Sequence, residues 1–206
     1  MKIGMIFECG PGGADQQVCE YAAKRLAPKI TVSSVPLYNK KALLEECGKS
    51  ASVLINKRGC KRVIIIWDLH PSWERGTPSA SRDKARIKKA LKSAGVPMNR
   101  ISLVCIEHML EAWLLADERA LSATIPPKAH PARVRVTAPG GNPDKIQNPK
   151  RRLIEAFQRH SGKPYNDRLH AAQIAHAVPD CTRLRHSPSF RHFAQSLTAA
   201  PPQPHC

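Results

Sequence analysis

The sequence predicts an α/β fold, with a mainly parallel sheet flanked by helices and a C-terminal helical extension. The first observation is that strand-length apolar runs alternate with amphipathic segments through residue 118. The second is the run Arg62–Trp67, whose β-branched residues are typical of a central parallel strand buried on both faces. The third is size, because 206 residues with 42% apolar content suffice for one sizeable core.

The first quarter of the chain predicts two strands and two helices. Residues 2–7 form an apolar run of strand length, and a glycine-rich loop over residues 8–15 follows it. Residues 15–26 carry apolar side chains at helical spacing, which predicts the first helix. Residues 30–35 have the composition of a short strand, and residues 41–57 again show helical spacing.

The next segments repeat the alternation. Residues 62–67 are the strongest strand, and a loop rich in proline, serine and glycine follows them. A basic helix over residues 81–94 is expected to end at Gly95, since glycine favours the C-cap conformation. Residues 101–106 predict the last strand, and residues 108–118 predict an apolar helix. This order implies right-handed crossovers between parallel strands.

The C-terminal part predicts helices after an irregular stretch. Residues 119–148 lack periodicity and are rich in proline and glycine. Helical segments are expected at 149–160, 166–178 and 187–197. The predicted organisation is an α/β domain at 1–120, an irregular loop at 121–148, a helical extension packed on the core at 149–198, and a disordered tail at 199–206.

The charge balance points to a polyanionic partner. Lys and Arg number 33 against 16 Asp and Glu, which gives a formal net charge of +17. Such an excess favours nucleic acid, DNA or RNA, although a basic surface without a specific partner is the alternative. Residues 119–206 hold 14 of the basic and 4 of the acidic residues, so this half of the chain is a better candidate for binding a polyanion than residues 1–118.

The location expected for the protein is the cytoplasm. The seven cysteines are an odd number without a Cys-x-x-Cys pair, and no secretory signal is evident. The longest apolar runs have strand length, so no membrane span or membrane partner is expected. The sequence leaves the oligomeric state open.

Acidic residues follow three of the predicted strands. Glu8 comes after the first strand, Asp68 after the third, and Glu107 after the fourth, with Glu111 one helical turn later. Strand ends at one edge of a parallel sheet face a shared crevice, where ligands bind. Carboxylates gathered there repel one another unless a cation lies between them, and Mg²⁺ prefers oxygen ligands. The pattern therefore predicts a Mg²⁺ or Mn²⁺ site.

Simpler interpretations exist for individual members of this set. Asp68 could cap a turn, and Glu107 could be an exposed helical residue. Glu107 and Glu111 are four residues apart and are predicted to share one helix face. His70 points to the same side of the chain as Asp68, but before Pro71 it could equally be a turn residue.

The glycine-rich loop predicts a place where phosphate approaches the backbone. Gly10, Gly12 and Gly13 lie between a strand and the start of a helix, where backbone N–H groups can bind an anion. A dinucleotide site is the weaker interpretation, because the third glycine of that fingerprint is missing and no acidic residue ends the second strand at Val35. The lysine and Ser/Thr of a P-loop are also missing.

These motifs together resemble a small Toprim-like family described as a domain of unknown function. The similarity spans nearly the whole chain and is carried by Glu8 with its glycine-rich turn, Ile-Ile-Trp-Asp68-Leu-His70, Ile106-Glu107-x-x-Leu110-Glu111-Ala-Trp-Leu-Leu-Ala-Asp117, Asn148-Pro149-Lys150 and Ser189-Phe190-x-x-Phe193. Toprim domains of topoisomerases, primases and overcoming-lysogenisation-defect nucleases hold Mg²⁺ with a Glu after the first strand, an Asp-x-Asp after the third and a further acidic residue. The resemblance implies a Toprim-like, Rossmann-like fold here.

The resemblance implies a Mg²⁺-dependent nuclease. Asp68 and Glu111 would be metal ligands, Glu8 a ligand or general base, and His70 a ligand or proton shuttle. Substrate phosphates would be held by basic residues at the start of the extension, namely Lys150, Arg151 and Arg152. Some Toprim-like nucleases act beside an ATPase in anti-phage defence, so the resemblance suggests such a partner.

A non-catalytic module is the alternative function. His70 stands where the second Asp of Asp-x-Asp is expected, so the fold could have kept nucleic-acid or protein binding while losing a second metal. Such a module would bind in a salt-sensitive manner without divalent ions.

Overall fold

The computed structural model describes residues 1–72, 76–125 and 134–198 and contains a four-stranded parallel sheet flanked by helices. The strands lie in the order β2-β1-β3-β4, and all three pairings are parallel. The α/β prediction is confirmed. The strands are β1 Lys2–Phe7, β2 Thr31–Pro36, β3 Arg62–Asp68 and β4 Ile101–Ile106.

Strand β3 is buried along its whole length, as its β-branched composition predicts. It pairs with β1 on one side and with β4 on the other. Its alternating side chains enter two separate cores, with Ile64 and Ile66 on one face and Ile65 and Trp67 on the other. Asp68 continues this alternation on the Ile64 face, at the carboxyl edge of the sheet.

The helices form layers on both faces of the sheet. Helices α2 and α3 pack together over the Trp67 face, and α1, α7 and α8 cover the opposite face. The helices are α1 Ala14–Leu26, α2 Lys40–Ser52, α3 Ala80–Ser93, α4 Glu111–Leu114, α5 Glu118–Thr124, α6 Pro149–Ser161, α7 Asp167–Ala177 and α8 Pro188–Thr198.

The predicted helix over residues 108–118 is wrong in its bounds. Residues 107 and 108 form bends rather than a helix, and the Leu69 and His70 N–H groups donate to the Ile106 and His108 carbonyls at 2.8 and 3.2 Å. Helix α4 therefore begins only at Glu111 and has four residues. The Asp117 carboxylate then accepts from the Arg119 N–H and starts α5 as a separate helix. The predicted shared helical face of Glu107 and Glu111 does not exist.

Other differences from the predicted elements are smaller. Helix α2 ends at Ser52 and continues as a π-helical turn over Val53–Lys57. The stretch predicted as an irregular loop contains the end of α5 and short 3-10 turns at Pro139–Gly141 and Pro143–Lys145. The predicted tail at 199–206 lies outside the described residues, as does part of the predicted loop, 126–133.

The C-terminal helices share the core of the sheet. Trp113 of α4 meets Phe190 edge-on at 5.1 Å between ring centroids, and its indole N–H donates to Ser189 Oγ at 2.7 Å. The buried Asp144 carboxylate accepts from Ser187 Oγ at 2.6 Å and from the Ser189 N–H at 2.8 Å, which fixes the start of α8.

In the described ranges, no helix combines the length and apolarity that crossing a bilayer requires.

Candidate functional site

Four carboxylates converge at the carboxyl edge of the sheet. Asp68 ends β3, Glu8 follows the neighbouring β1, Asp15 lies in the first turn of α1, and Glu111 begins α4. Burial is the largest cause that raises the pKa of Asp68 well above its usual value, and the charges of Asp15, Glu8 and Glu111 raise it further. These four residues are called the acidic cluster below.

The members of the acidic cluster have an unfavourable environment when ionised. Burial raises the pKa of Glu8 to about 8, against an opposing effect of Lys40. Burial likewise raises the pKa of Asp15 to about 6. The buried oxygens Glu8 Oε2 and Asp68 Oδ1 have no hydrogen-bond partner. Buried polar atoms are normally satisfied, so these two oxygens are the positions in the cluster at which a cation or a hydrogen-bond donor could bind.

Two lysines border the acidic cluster without neutralising it. The Lys40 ammonium donates to the Pro71 carbonyl and opposes the raised pKa of both Glu8 and Asp68. The Lys150 ammonium is paired with Asp167 at 2.7 Å. Since Lys150 already has a carboxylate partner, the four acids retain an excess of negative charge when ionised.

Sequence reasoning missed Asp15 and Lys40 as members of this region. Each lies near the start of the helix that follows a strand, Asp15 in α1 after β1 and Lys40 in α2 after β2. In a parallel sheet such helix starts lie at the same edge as the strand ends. This position was the available signal, and it could have identified both residues.

Glu107 lies apart from the acidic cluster. It is exposed, follows the end of β4, and is not helical. Glu111, by contrast, is 4% exposed. Burial raises the pKa of Glu111, and the nearby Lys150 opposes this effect. The structure thus places Glu8 and Glu111 close enough to Asp68 for their charges to raise its pKa, and it leaves Glu107 at the surface.

His70 faces a second histidine. Its ring stacks on that of His108 with centroids 5.0 Å apart and an interplanar angle of 25°. Burial, followed by the charges of His108 and Lys40, lowers the pKa of His70, which favours the neutral imidazole. A neutral imidazole can accept a proton or bind a metal ion, but its observed contact is this stacking arrangement.

The glycine-rich loop forms a close turn in which two backbone N–H groups already have acceptors. The Gly12 N–H donates to Gln16 Oε1 at 3.0 Å and the Gly13 N–H to the Gly10 carbonyl at 2.9 Å. A Cβ at Gly13 would lie 2.8 Å from the Cys9 Cβ, so this close turn requires glycine. Two N–H groups predicted to approach phosphate are therefore already engaged inside the loop.

The basic residues at the start of α6 differ in availability. Lys150 is held by Asp167, and the exposed Arg151 pairs with Glu155 at 2.9 Å. Arg152 is exposed, and no side-chain hydrogen bond or ion pair holds it in the described ranges. Of the three residues predicted to contact phosphate, Arg152 is the most accessible to an external anion.

The acidic cluster fits a divalent cation in chemistry, although its side chains are not preassembled. No three His, Cys, Asp or Glu side chains within 1–72, 76–125 and 134–198 surround a common point as metal ligands do. The two unpartnered oxygens of Glu8 and Asp68 nevertheless supply hard donors at one sheet edge. With Glu111 and Asp15 nearby, they are the residues that could hold Mg²⁺ or Mn²⁺ after side-chain rotation.

Asp117, by contrast, has a structural environment. It is fully buried, and its carboxylate accepts from Arg119 at 2.7 Å and lies 3.8 Å from Arg183. Burial alone would raise the pKa of Asp117, but the Arg119 hydrogen bonds outweigh it and leave the pKa lowered. The final acid of the most specific sequence motif therefore stabilises the start of α5.

We expect Asp117→Asn to lower the free energy of unfolding by about 1–3 kcal/mol, because charge-assisted hydrogen bonds to a fully buried carboxylate are lost. Asp180→Asn is the matched control, since Asp180 contacts the same Arg119 at 3.1 Å from an exposed position. Urea denaturation of both variants measures the difference, with the smaller loss expected for the control. Equal losses in the two variants would contradict a structural role for the buried pair.

Comparison with known proteins identifies the family. A family model described as a domain of unknown function, DUF4276, matches residues 14–198. The match begins after β1 and includes Asp15, Asp68 and Glu111. No curated protein and no solved structure gives a significant match. Because the family model covers most of its length, the chain belongs to the DUF4276 family.

Proposed function

We propose that the protein is a Mg²⁺-dependent nucleic-acid phosphodiesterase, a nuclease of Toprim type. The observation that carries this proposal is the acidic cluster, with unpartnered buried oxygens on Glu8 and Asp68 at one edge of the sheet. Like-charged carboxylates remain ionised together most readily when a cation lies among them. The net charge of +17 supports a polyanionic substrate.

The residues of the cluster have distinct roles in this proposal. Asp68 and Glu111, with Asp15 beside them, would hold the ion, which would supply neutralisation of charge on the phosphate oxygens. Glu8 would bind the ion or accept the proton of the attacking water. Arg152 holds a neighbouring phosphate of the substrate.

The Toprim assignment is supported by topology as well as by sequence. A Glu after β1 and an Asp after β3 lie on adjacent parallel strands, as the resemblance requires. A partner ATPase and a role in anti-phage defence extend the proposal through the same resemblance.

The nuclease assay compares two identical substitutions four residues apart. Plasmid, single-stranded DNA and tRNA are each incubated with Mg²⁺ or Mn²⁺. We expect Glu111→Gln to slow cleavage at least about 100-fold, because it removes a buried ligand of the ion. Glu107→Gln changes the same chemical group at the exposed end of β4 and is expected to stay within about threefold of wild type.

Two outcomes of this assay would overturn the enzyme proposal or its site. If wild type and Glu111→Gln behave alike on all three substrates, the enzyme proposal fails. If Glu107→Gln is instead the more damaging substitution, the ion is bound by a different set of carboxylates.

A non-catalytic binding module is the second candidate function. It is favoured by one observation, the stacking of His70 on His108 at the position where Toprim domains have a second Asp. This function requires nucleic-acid or protein binding that weakens with salt and does not depend on divalent ions. Nucleic-acid binding with no cleavage under any metal condition would favour it.

A further inference from the structure

Three cavities along α6 share lining residues and form one groove. A cavity of about 280 Å³ beside Val134–Thr137 and a second of about 230 Å³ are both lined by Arg152 and Glu155. The second and a third, of about 290 Å³, are both lined by Gln147 and Asn148. Shared walls place the cavities in series, and they are together called the α6 groove.

The end of the α6 groove formed by the first cavity, called the far end below, is strongly basic. The first cavity is lined by Arg135, Arg152, Arg159 and His160. All three arginines are exposed, and Arg152 and Arg159 have no side-chain hydrogen bond or ion pair in the described ranges. Of the described residues that line the three cavities, only Glu155 is acidic, and it pairs with Arg151. This part of the groove suits the phosphates of a polyanion.

The opposite end of the α6 groove, formed by the third cavity and called the near end, has a different chemistry. The third cavity is lined by His70, His108, Met109 and Pro149, and its two imidazoles are stacked. Stacked rings beside an apolar wall offer a surface on which a nucleobase can lie flat. A base can reach such a surface only when it is unstacked from its neighbours, as in a single strand.

The near end also adjoins the acidic cluster. His70 lies two residues after Asp68, and Pro149 immediately precedes Lys150, which lies close to Glu111. Arg159 lies eleven positions after Asn148, which is about 16 Å at about 1.5 Å per residue of helix.

We propose that the α6 groove binds a single polynucleotide strand, with its phosphates along Arg152 and Arg159 and one base on the His70–His108 pair. The groove would present the strand to the acidic cluster, so this inference names the substrate class of the proposed function and rests on it. A duplex keeps its bases stacked and cannot use the histidine pair.

Binding of fluorescein-labelled ten-residue dT and U oligonucleotides and of a ten-base-pair DNA duplex tests this proposal. Fluorescence anisotropy is measured in EDTA, where cleavage cannot occur. We expect Arg152→Gln/Arg159→Gln to weaken strand binding at least about tenfold and to reduce the slope of log K against log salt by about 1.4, since each lost phosphate contact removes about 0.7. His108→Ala is expected to weaken strand binding about tenfold and to leave duplex binding unchanged.

Lys88→Gln/Lys89→Gln is the matched control, because it removes the same charge from exposed positions on α3, across the sheet from α6. We expect less than a threefold effect from it. Equal losses from the two double variants, or a duplex bound as tightly as the strands, would overturn the proposal. Preference for dT or for U identifies the natural strand as DNA or RNA. If Glu8→Gln abolishes cleavage and retains this binding, both proposals stand; if wild type binds but never cleaves, only the enzyme proposal fails.

Discussion

Asp68→Asn is expected to reduce metal-dependent cleavage at least about 1000-fold while making the metal-free protein more stable. Asp68 ends the central strand β3, is 9% exposed, and has a buried oxygen without a partner. Ionising it beside Glu8, Asp15 and Glu111 is unfavourable, because burial and like charge both raise its pKa. Asparagine keeps the shape and removes the charge, so stability rises where catalysis is lost.

Thermal unfolding in EDTA at pH 8 and cleavage with Mn²⁺ measure these two effects separately. A rise in Tm of at least about 3 °C is expected, which corresponds to about 1 kcal/mol for a chain of this size. Glu46→Gln is the control, since Glu46 is an exposed acid on α2. An Asp68→Asn protein that is both inactive and less stable would show that Asp68 supports the fold rather than a functional site.

The stability of Glu8→Gln relative to wild type is expected to depend on pH. Burial raises the folded-state pKa of Glu8 to about 8, from an ordinary value of 4.5. The folded protein therefore holds a proton that the unfolded chain releases, and wild-type stability falls as pH rises between these two values. Lys40 opposes this shift, whereas Asp15 and Asp83 add to it.

The difference between the two proteins isolates the contribution of Glu8. In EDTA, Glu8→Gln should have nearly the wild-type Tm at pH 5 and a higher Tm at pH 8.5, since glutamine does not titrate. Saturating Mg²⁺ should narrow the gap at pH 8.5 by stabilising wild type alone, because a bound ion favours the ionised carboxylate. A gap that is constant across the pH range would contradict a raised pKa for Glu8.

The sheet could be predicted from sequence because its signal is local. Strands β1 and β4 have the predicted bounds, and β3 extends only one residue further, to Asp68. The uninterrupted β-branched run of β3 favours a buried parallel strand over other secondary structures. The convergence of Glu8 and Asp68 also followed, since adjacent parallel strands end at the same edge.

The region after β4 could not be predicted because a tertiary contact overrides its helical pattern. Hydrogen bonds from Leu69 and His70 to the Ile106 and His108 carbonyls hold this segment, which bends at residues 107 and 108, so Glu107 and Glu111 do not lie on one helix. The local sequence contains no sign of these partners, which lie almost forty residues earlier in the chain. Asp15 was missed because it reaches the acidic cluster from the start of α1 rather than from a strand end.

Calorimetric titration with Mn²⁺ at pH 8 measures whether a divalent ion binds among Glu8, Asp68 and Glu111, as we propose. We expect saturable binding to wild type and to Glu46→Gln, with binding lost in Glu8→Gln/Asp68→Asn. Binding should also release protons, seen as a heat that changes with the ionisation enthalpy of the buffer. Identical titration curves for wild type and the Glu8→Gln/Asp68→Asn variant would contradict the claim.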